Sequence, residues 1–342
     1  MSPKNLNASN KTHKFLLNQL KDKQTSKIYK KFEENLKLNE DFIVAVSGGP
    51  DSLALCFLSK IYSIKKHLKV KYLHVDHKLR NNSTKEAKFV KLLLKKLSTN
   101  LEILNWVGKK PKSNIQSIAR DKRYALMINK AKILKINNIL LAHHKDDLME
   151  NFFIRILRGS GLNGMVSFDQ RTNLQNINLI RPLLKFSKKN LEHITKKVFK
   201  NYVEDPSNKN DKFKRVKIRN FIKNLESEGL DNDKFSLTIK NLKFANESIK
   251  YFVEKNLKDN STISNMNKSV ILNINFFLQP EEVVFRSLTE VLQSVGKKYY
   301  PVRGKKIDNL IYRIKNDNSF MTTLGNCVIK KVNNSVLVSK ER

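Results

Sequence analysis

Three short clusters in this chain carry side chains that could do chemistry. The first is Ser47-Gly48-Gly49-Pro50-Asp51-Ser52, between the apolar run Phe42-Ile43-Val44-Ala45-Val46 and the segment Leu53-Ala54-Leu55-Cys56-Phe57-Leu58. The apolar run reads as a buried strand. Paired glycines permit a tight turn that a Cβ would obstruct, and the segment after Pro50 reads as the first turns of a helix. Strand, glycine turn and helix N-terminus together make an anion cradle, because backbone N–H groups point outward and the helix dipole adds positive potential. The Ser47 and Ser52 hydroxyls add donors to the same anion. The plainer alternative is an ordinary strand-to-helix turn in which Ser and Asp are caps.

The second cluster is His74-Val75-Asp76-His77-Lys78-Leu79-Arg80. Strand alternation puts His74 and Asp76 on one side, with His77 just past the end; the plain alternative is a polar strand terminus. The third is His143-His144-Lys145-Asp146-Asp147-Leu148-Met149-Glu150. Asp147 and Glu150 share a helix face. Paired acids there suit a hard cation such as Mg²⁺, or a substrate ammonium. A transition metal on the His and acid groups ranks below Mg²⁺, and Asp146 alone reads equally as a helix cap.

The elements that must position these clusters alternate. Strands are expected at Phe42–Val46, Val70–His77, Leu101–Val107 and Asn138–Ala142, with helices at 51–66, 84–98, 114–136 and 146–158. That order indicates a parallel α/β sheet with right-handed crossovers, whose ligands sit beyond the carboxyl ends of the strands. All three clusters fall there. Residues 1–40 are set apart as a Lys-rich N-terminal extension with one or two short helices and a disordered beginning. Residues 41–225 form the α/β domain. After the polar stretch Glu226–Asp233, residues 234–342 form a smaller, mostly helical domain: a helix from Phe235 to about Leu257, a polar break at Asp259–Lys268, a strand at Val270–Phe277, helices at Glu281–Val295 and Lys305–Ile314, and a closing β-hairpin.

Lys and Arg number 67 against 31 Asp and Glu, a formal net charge of +36, which points to a polyanionic partner, nucleic acid first. A Lys-, Asn- and Ile-rich compositional bias is the bland alternative. Cys56 and Cys327 are the two cysteines, far apart, so neither a disulfide framework nor a zinc or iron–sulfur site is supported. No run of apolar residues is long enough to span a membrane and no apolar signal segment opens the chain, so a cytoplasmic protein is expected.

Ser-Gly-Gly-x-Asp-Ser resembles the pyrophosphate loop (PP-loop) of the N-type ATP pyrophosphatases. The whole set is more specific. Ser47–Ser52, His74-Val75-Asp76-His77-x-Leu79-Arg80, Ala119-Arg120-x-x-Arg123-Tyr124, Ala142-His143-His144-x-Asp146-Asp147-x-x-Glu150, Arg158-Gly159-Ser160-Gly161-Leu162-x-Gly164-Met165, Arg181-Pro182-Leu183-Leu184 and Glu204-Asp205-Pro206-Ser207-Asn208 leading to Arg219-Asn220 run in order. Together they resemble the tRNA(Ile)-lysidine synthetases. The resemblance covers residues 42 to about 220, and Leu324-Gly325-x-Cys327-Val328-Ile329 is similar to the close of that family's middle domain. Longer members carry a further C-terminal domain.

The resemblance implies an α/β fold: a parallel-sheet PP-loop ATPase domain, then the smaller domain, which would bind tRNA. It implies a ligase that adenylates the wobble cytidine of the isoleucine tRNA with a CAU anticodon and joins L-lysine to it, releasing AMP and pyrophosphate. On the same footing, Ser47, Gly48, Gly49, Pro50, Asp51, Ser52, His74 and Asp76 bind ATP. Asp51, His143, Asp147, Arg120 and Arg123 are catalytic, Asp147 and Glu150 bind lysine, and Asp51 and Asp146 hold Mg²⁺. A homodimer is carried as an expectation for its assembly. Two other classes are weighed. A tRNA thiolase on the same fold needs a well-placed cysteine, which neither Cys56 nor Cys327 is. A non-catalytic basic RNA-binding module leaves carboxylates beside an anion site unexplained.

Overall fold

The structure is a computed structural model. It describes residues 13–109, 111, 113–204, 214–264, 269–297 and 302–341. The expected disorder at the start of the chain, and all of the Glu204–Asn208 motif but Glu204, fall outside those residues. The chain divides into two compact units, Met1–Asp231 and Asn232–Arg342.

The first unit contains α1 (Lys23–Leu36), β1 (Phe42–Ala45), α2 (Pro50–Lys65), β2 (Val70–Asp76), α3 (Ser83–Lys95), β3 (Leu101–Asn105), α4 (Ile115–Leu134), β4 (Asn138–Leu140), α5 (Lys145–Ile156), α6 (Leu162–Val166), β5 (Arg171–Leu174), β6 (Ile177–Ile180), α7 (Lys188–Val198) and α8 (Lys214–Ser227). Its sheet has the order β3-β2-β1-β4-β6-β5. Period-two alternation decides which strand residue meets which layer. Phe42, Val44 and Tyr72 point into one core with α1, α2 and α7. Ile43, Leu73 and Val75 point into the other, against Tyr124, Met127, Ile128 and Ala131 of α4. Helix α2 is buried nearly all round, from Ser52 to Ser63, as a helix apolar on every side must be. Leu16, Phe32 and Leu36, from the segment read as an extension, lie in that first core at 0–1% exposure.

Two corrections concern this sheet. β3, β2, β1, β4 and β6 are parallel, but the edge strand β5 runs antiparallel to β6. The hairpin β5–β6 is polar outside Leu174, Ile177, Leu179 and Ile180, because an edge strand buries little and gives no apolar run to read. Helix α7, also unforeseen, is capped by Ser187 accepting from the Asn190 N–H, and it buries Leu191, Ile194 and Val198.

The chain order reverses at β1: β2 and β3 lie on one side and β4 on the other. The crevice between the carboxyl ends of β1 and β4 is therefore a topological switch point, where such sheets bind ligands. The first and third clusters flank it.

The second unit contains α9 (Asn232–Asn260), β7 (Ser261–Ser264), β8 (Ser269–Leu272), a 3₁₀ turn (Ile274–Phe277), α10 (Glu281–Gly296), α11 (Gly304–Asn316), β9 (Phe320–Leu324), β10 (Cys327–Val332) and β11 (Ser335–Lys340). The expected hairpin is the outer part of a five-stranded sheet of order β7-β8-β11-β10-β9. Part of the stretch read as a polar break is the edge strand β7, whose Ser-Thr-Ile-Ser sequence is mostly polar. The strand expected to reach Phe277 ends at Leu272, where Asn273 caps the 3₁₀ turn by accepting from the Phe276 N–H. Leu272, Phe276, Leu288, Leu292, Ile307 and Ile329 form this unit's core.

Candidate active site

The loop after β1 is built as its glycines require. Gly48 has φ +95°, and a Cβ there would lie 2.5 Å from Val90 Cγ2 and 3.2 Å from Val203 Cγ2. Its N–H donates to Ser52 Oγ at 3.0 Å and its carbonyl accepts from the Val203 N–H at 3.0 Å. Ser52 is 2% exposed, and its hydroxyl donates to the Gly49 carbonyl while accepting from Ser47 Oγ. Ser52 thus shapes the loop from beneath, whereas Ser47 is exposed. Gly49 starts α2 with no side-chain cap, and Pro50 stands in its first turn. An uncapped helix start facing a crevice presents N–H groups and the positive end of the dipole to an anion.

Beside the loop, His144 Nε2 lies 3.6 Å from Asp51 Oδ2 and 3.6 Å from Asp147 Oδ2. His144 caps α5: its Nδ1 accepts from the Asp146 N–H at 3.3 Å, and Asp147 Oδ2 accepts from the His144 N–H at 3.0 Å. With Nδ1 an acceptor, the ring proton is on Nε2, toward the two carboxylates. Burial raises the Asp51 carboxyl above its ordinary value; nearby Asp147 adds to this and His144 offsets part. Burial would raise Asp147 too, but His144, His143, the His144 N–H and Arg215 outweigh it and hold Asp147 low.

Glu150, one turn along α5, is 3% exposed. Its Oε1 accepts from Arg219 Nε at 2.5 Å, its Oε2 lies 3.5 Å from Arg219 Nη2, and Arg215 Nε stands 4.0 Å from Oε2. Both arginines come from α8, one turn apart. Burial pushes the Glu150 carboxyl up and Arg219 pulls it back, while the same pair raises Arg219.

On the α4 side, Arg120 donates to the Tyr124 hydroxyl at 3.1 Å, and the Arg120 and Arg123 guanidiniums lie 5.1 and 5.6 Å from the Tyr124 ring centroid. Two imidazoles face this pair. His77 packs edge-on to Trp106 and His143 edge-on to Phe168, and each has a buried Nδ1 with no partner among the described residues. Burial, with the charge of Arg123, pushes His77 down to about 4. Burial also takes His143 down to about 3, helped by Arg181, Arg120 and Arg123 against Asp147. Both rings are neutral near pH 7.

A model of the PP-loop domain family matches residues 19–226. The chain is 33% identical to the tRNA(Ile)-lysidine synthase of Wolbachia pipientis wMel over 89% of its own length and 71% of that protein's. It is 30% identical to the synthases of Orientia tsutsugamushi strain Boryong (91% of this chain, 71% of the relative) and Bradyrhizobium diazoefficiens (81% and 78%). The chain belongs to the tRNA(Ile)-lysidine synthase family. Among solved structures, the U34-tRNA thiolase of Methanococcus maripaludis with its [4Fe–4S] cluster superposes with a TM-score of 0.57 over 66% of this chain and 79% of that one, at 15% identity. That likeness speaks to the fold alone.

In this family member, two residues read as ATP ligands are engaged within the chain. His74 Nδ1–H donates to the Val46 carbonyl at 2.8 Å, tying β2 to the loop. Asp76 accepts from the Lys78 N–H at 2.9 Å and from Thr84 Oγ1 at 2.7 Å, fixing the start of α3. Among the described residues, no group of three or more His, Cys, Asp or Glu is placed to hold a metal. Asp51 fits a hard cation, because its Oδ1 is buried with no described partner. Asp146 is half-exposed and 3.9 Å from His144 Nδ1. The sequence reading singled out His143 and gave no role to its neighbour His144, which stands between the two carboxylates. It quoted Arg219 without giving it a role, although a buried glutamate calls for a cation and Arg215 and Arg219 repeat at one helical turn.

Proposed function

We propose that the chain is an ATP-dependent ligase that adenylates the wobble cytidine of tRNA(Ile) with a CAU anticodon and joins L-lysine to it. The observation that carries this reading is the company the loop keeps: an uncapped, glycine-turned helix start with Asp51 and Asp147 brought together by His144, at the switch point of a parallel sheet. An anion cradle alone would serve any nucleotide. Carboxylates crowded against it need a cation, and a metal ion with a substrate ammonium supplies that need.

The chemistry has two steps. The cytosine carbonyl oxygen attacks the α-phosphorus of ATP, and pyrophosphate leaves into the cradle, stabilised by N–H groups and helix dipole. The ε-amine of lysine then attacks the activated carbon and AMP leaves. Arg120 and Arg123, oriented by stacking on Tyr124, face the negative charge that develops on the transferring phosphoryl group. Lysine must lose a proton to attack; Asp147, held ionised beside His144, is the acceptor, and Asp147 and Glu150 bind the ammonium. Mg²⁺, held by Asp51 with Asp146 assisting, would offset phosphate charge when bound. The second unit, with Lys-rich helices, engages the tRNA. The enzyme is cytoplasmic and assembles as a homodimer in this reading; among the described residues no helix is long and apolar enough to cross a membrane.

The thiolase alternative needs an accessible cysteine. Cys56 and Cys327 are each 0% exposed, one in each unit's core. The test is incorporation of labelled lysine into a panel of tRNA transcripts with ATP and Mg²⁺. Incorporation confined to the CAU isoleucine transcript, and lost in Asp51→Asn, is expected. Sulfur transfer without lysine incorporation would overturn the reading.

A further inference from the structure

Glu150 and Arg219 pose a problem for the lysine site. The carboxylate is 3% exposed, whereas the Arg219 side chain that binds it is 36% exposed. The pair therefore joins a buried carboxylate to a side chain that partly meets solvent. Asp147 and Glu150 bring two negative charges, and Arg215 and Arg219 bring two positive ones, with Arg215 Nε 4.0 Å from Glu150 Oε2. An ammonium that enters while both arginines stay must share the buried Glu150 carboxylate with them, one acceptor between competing cations.

We propose that Arg219 is a placeholder cation: it holds Glu150 in the lysine-free enzyme and yields that carboxylate to the ammonium of the amino-acid substrate. This rests on the assignment of Glu150 to the lysine site. A buried carboxylate left bare is costly, so Glu150 is never without a cation, and binding is an exchange of one charge-assisted pair for another. The displaced guanidinium needs no helix movement, since a third of its side chain already meets solvent and a torsion about its own stem swings it outward. The exchange also sets specificity. A neutral side chain of similar length cannot replace the charge that Arg219 takes away, so it leaves Glu150 paired and finds the site shut.

The test is the dissociation constant of labelled lysine, measured by equilibrium dialysis without tRNA, for the wild type, Arg219→Gln, Arg219→Lys and Glu150→Gln. Removing the internal competitor should tighten lysine binding in Arg219→Gln on the order of tenfold, the factor that about 1.4 kcal/mol of lost competition produces. Arg219→Lys, a one-point cation that cannot form the two-point contact, should tighten it less and serves if the Gln variant fails to fold. Norleucine, which keeps the α-ammonium but lacks the side-chain one, should bind neither the wild type nor the Lys variant. Unchanged or weaker lysine binding in both Arg219 variants would make the pair a mere tie between α5 and α8 and overturn the proposal. Glu150→Gln separates the two failures. If it weakens lysine binding while the Arg219 variants do not tighten it, the lysine site stands and the placeholder falls. If it changes nothing, the lysine site falls and the placeholder with it.

Discussion

Gly48→Ala tests the loop most directly, because its cost can be worked from two independent terms. At φ +95° an L-residue is strained, which costs about 1–2 kcal/mol. The new methyl would also lie 2.5 Å from Val90 Cγ2 and 3.2 Å from Val203 Cγ2. Val90 is fully buried in α3 and has nowhere to retreat, so overpacking adds about 1–3 kcal/mol. The expected loss of stability is about 2–5 kcal/mol in urea unfolding. Because relief must come from moving the loop, tRNA-dependent pyrophosphate release should fall on the order of tenfold or more among molecules that remain folded. Val90→Ala divides the two terms. It removes the nearer clashing methyl and leaves only the milder Val203 contact, so Gly48→Ala should cost the backbone term and little more in that background, and the cycle should show about 1–3 kcal/mol of coupling. An equal cost in both backgrounds, or a loss below about 0.5 kcal/mol in the wild type, would refute the close approach of α3 to the loop.

Two further outcomes are expected. His77 and His143 are held at about 4 and about 3, below the ordinary 6.5; below pH 6.5 the unfolded chain takes up protons that the folded one refuses, so stability should fall as pH drops toward 4. His77→Asn should flatten part of that slope in unfolding experiments, and parallel slopes would show that His77 is not held neutral. The cysteine-free chain, Cys56→Ala with Cys327→Ala, should lose stability from two small buried cavities yet keep lysine incorporation per folded molecule; abolished turnover with an intact fold would bring sulfur chemistry back.

Much of this fold was legible because β1, β2 and β4 are short apolar runs bounded by glycine or polar clusters, and because the clusters that end them all lie at strand termini. The reading ran short where burial is slight. β5 and β7 are edge strands with polar sequences, and a strand that covers little core carries no apolar alternation. α7 had its signal in Ser187 followed by Leu191, Ile194 and Val198, a cap and a helical stripe that went unread. At the site, residue types showed which groups belong together but not which way each points. Ser52, His74 and Asp76 look like ligands in sequence, and the fold also gives each a bond within the chain: Ser52 to Gly48 and Gly49, His74 Nδ1 to Val46, and Asp76 to Lys78 and Thr84. Most of those bonds run to backbone carbonyls and N–H groups, such as those of Val46, Gly49 and Lys78, which carry no sequence signature.

His144 shows why the site must be argued as one electrostatic unit. Asp51 belongs to the loop after β1 and Asp147 to the helix after β4, and two carboxylates in a common buried space repel. The Nε2–H of His144 lies between them at 3.6 Å from each, and its Nδ1 is fixed by the α5 backbone. The ring is thus held by the α5 backbone, and in the proposed mechanism it links the phosphate side of the crevice to the ammonium side. The result is asymmetric. Asp147, which also accepts a backbone N–H, is held ionised, whereas burial keeps Asp51 raised with one oxygen unengaged among the described residues. A carboxylate already satisfied within the chain is suited to hold or accept a proton; one still lacking a partner is suited to receive a cation with the nucleotide. The division of labour proposed for Asp147 and Asp51 therefore follows from which of them the backbone reaches, with His144 standing between the two.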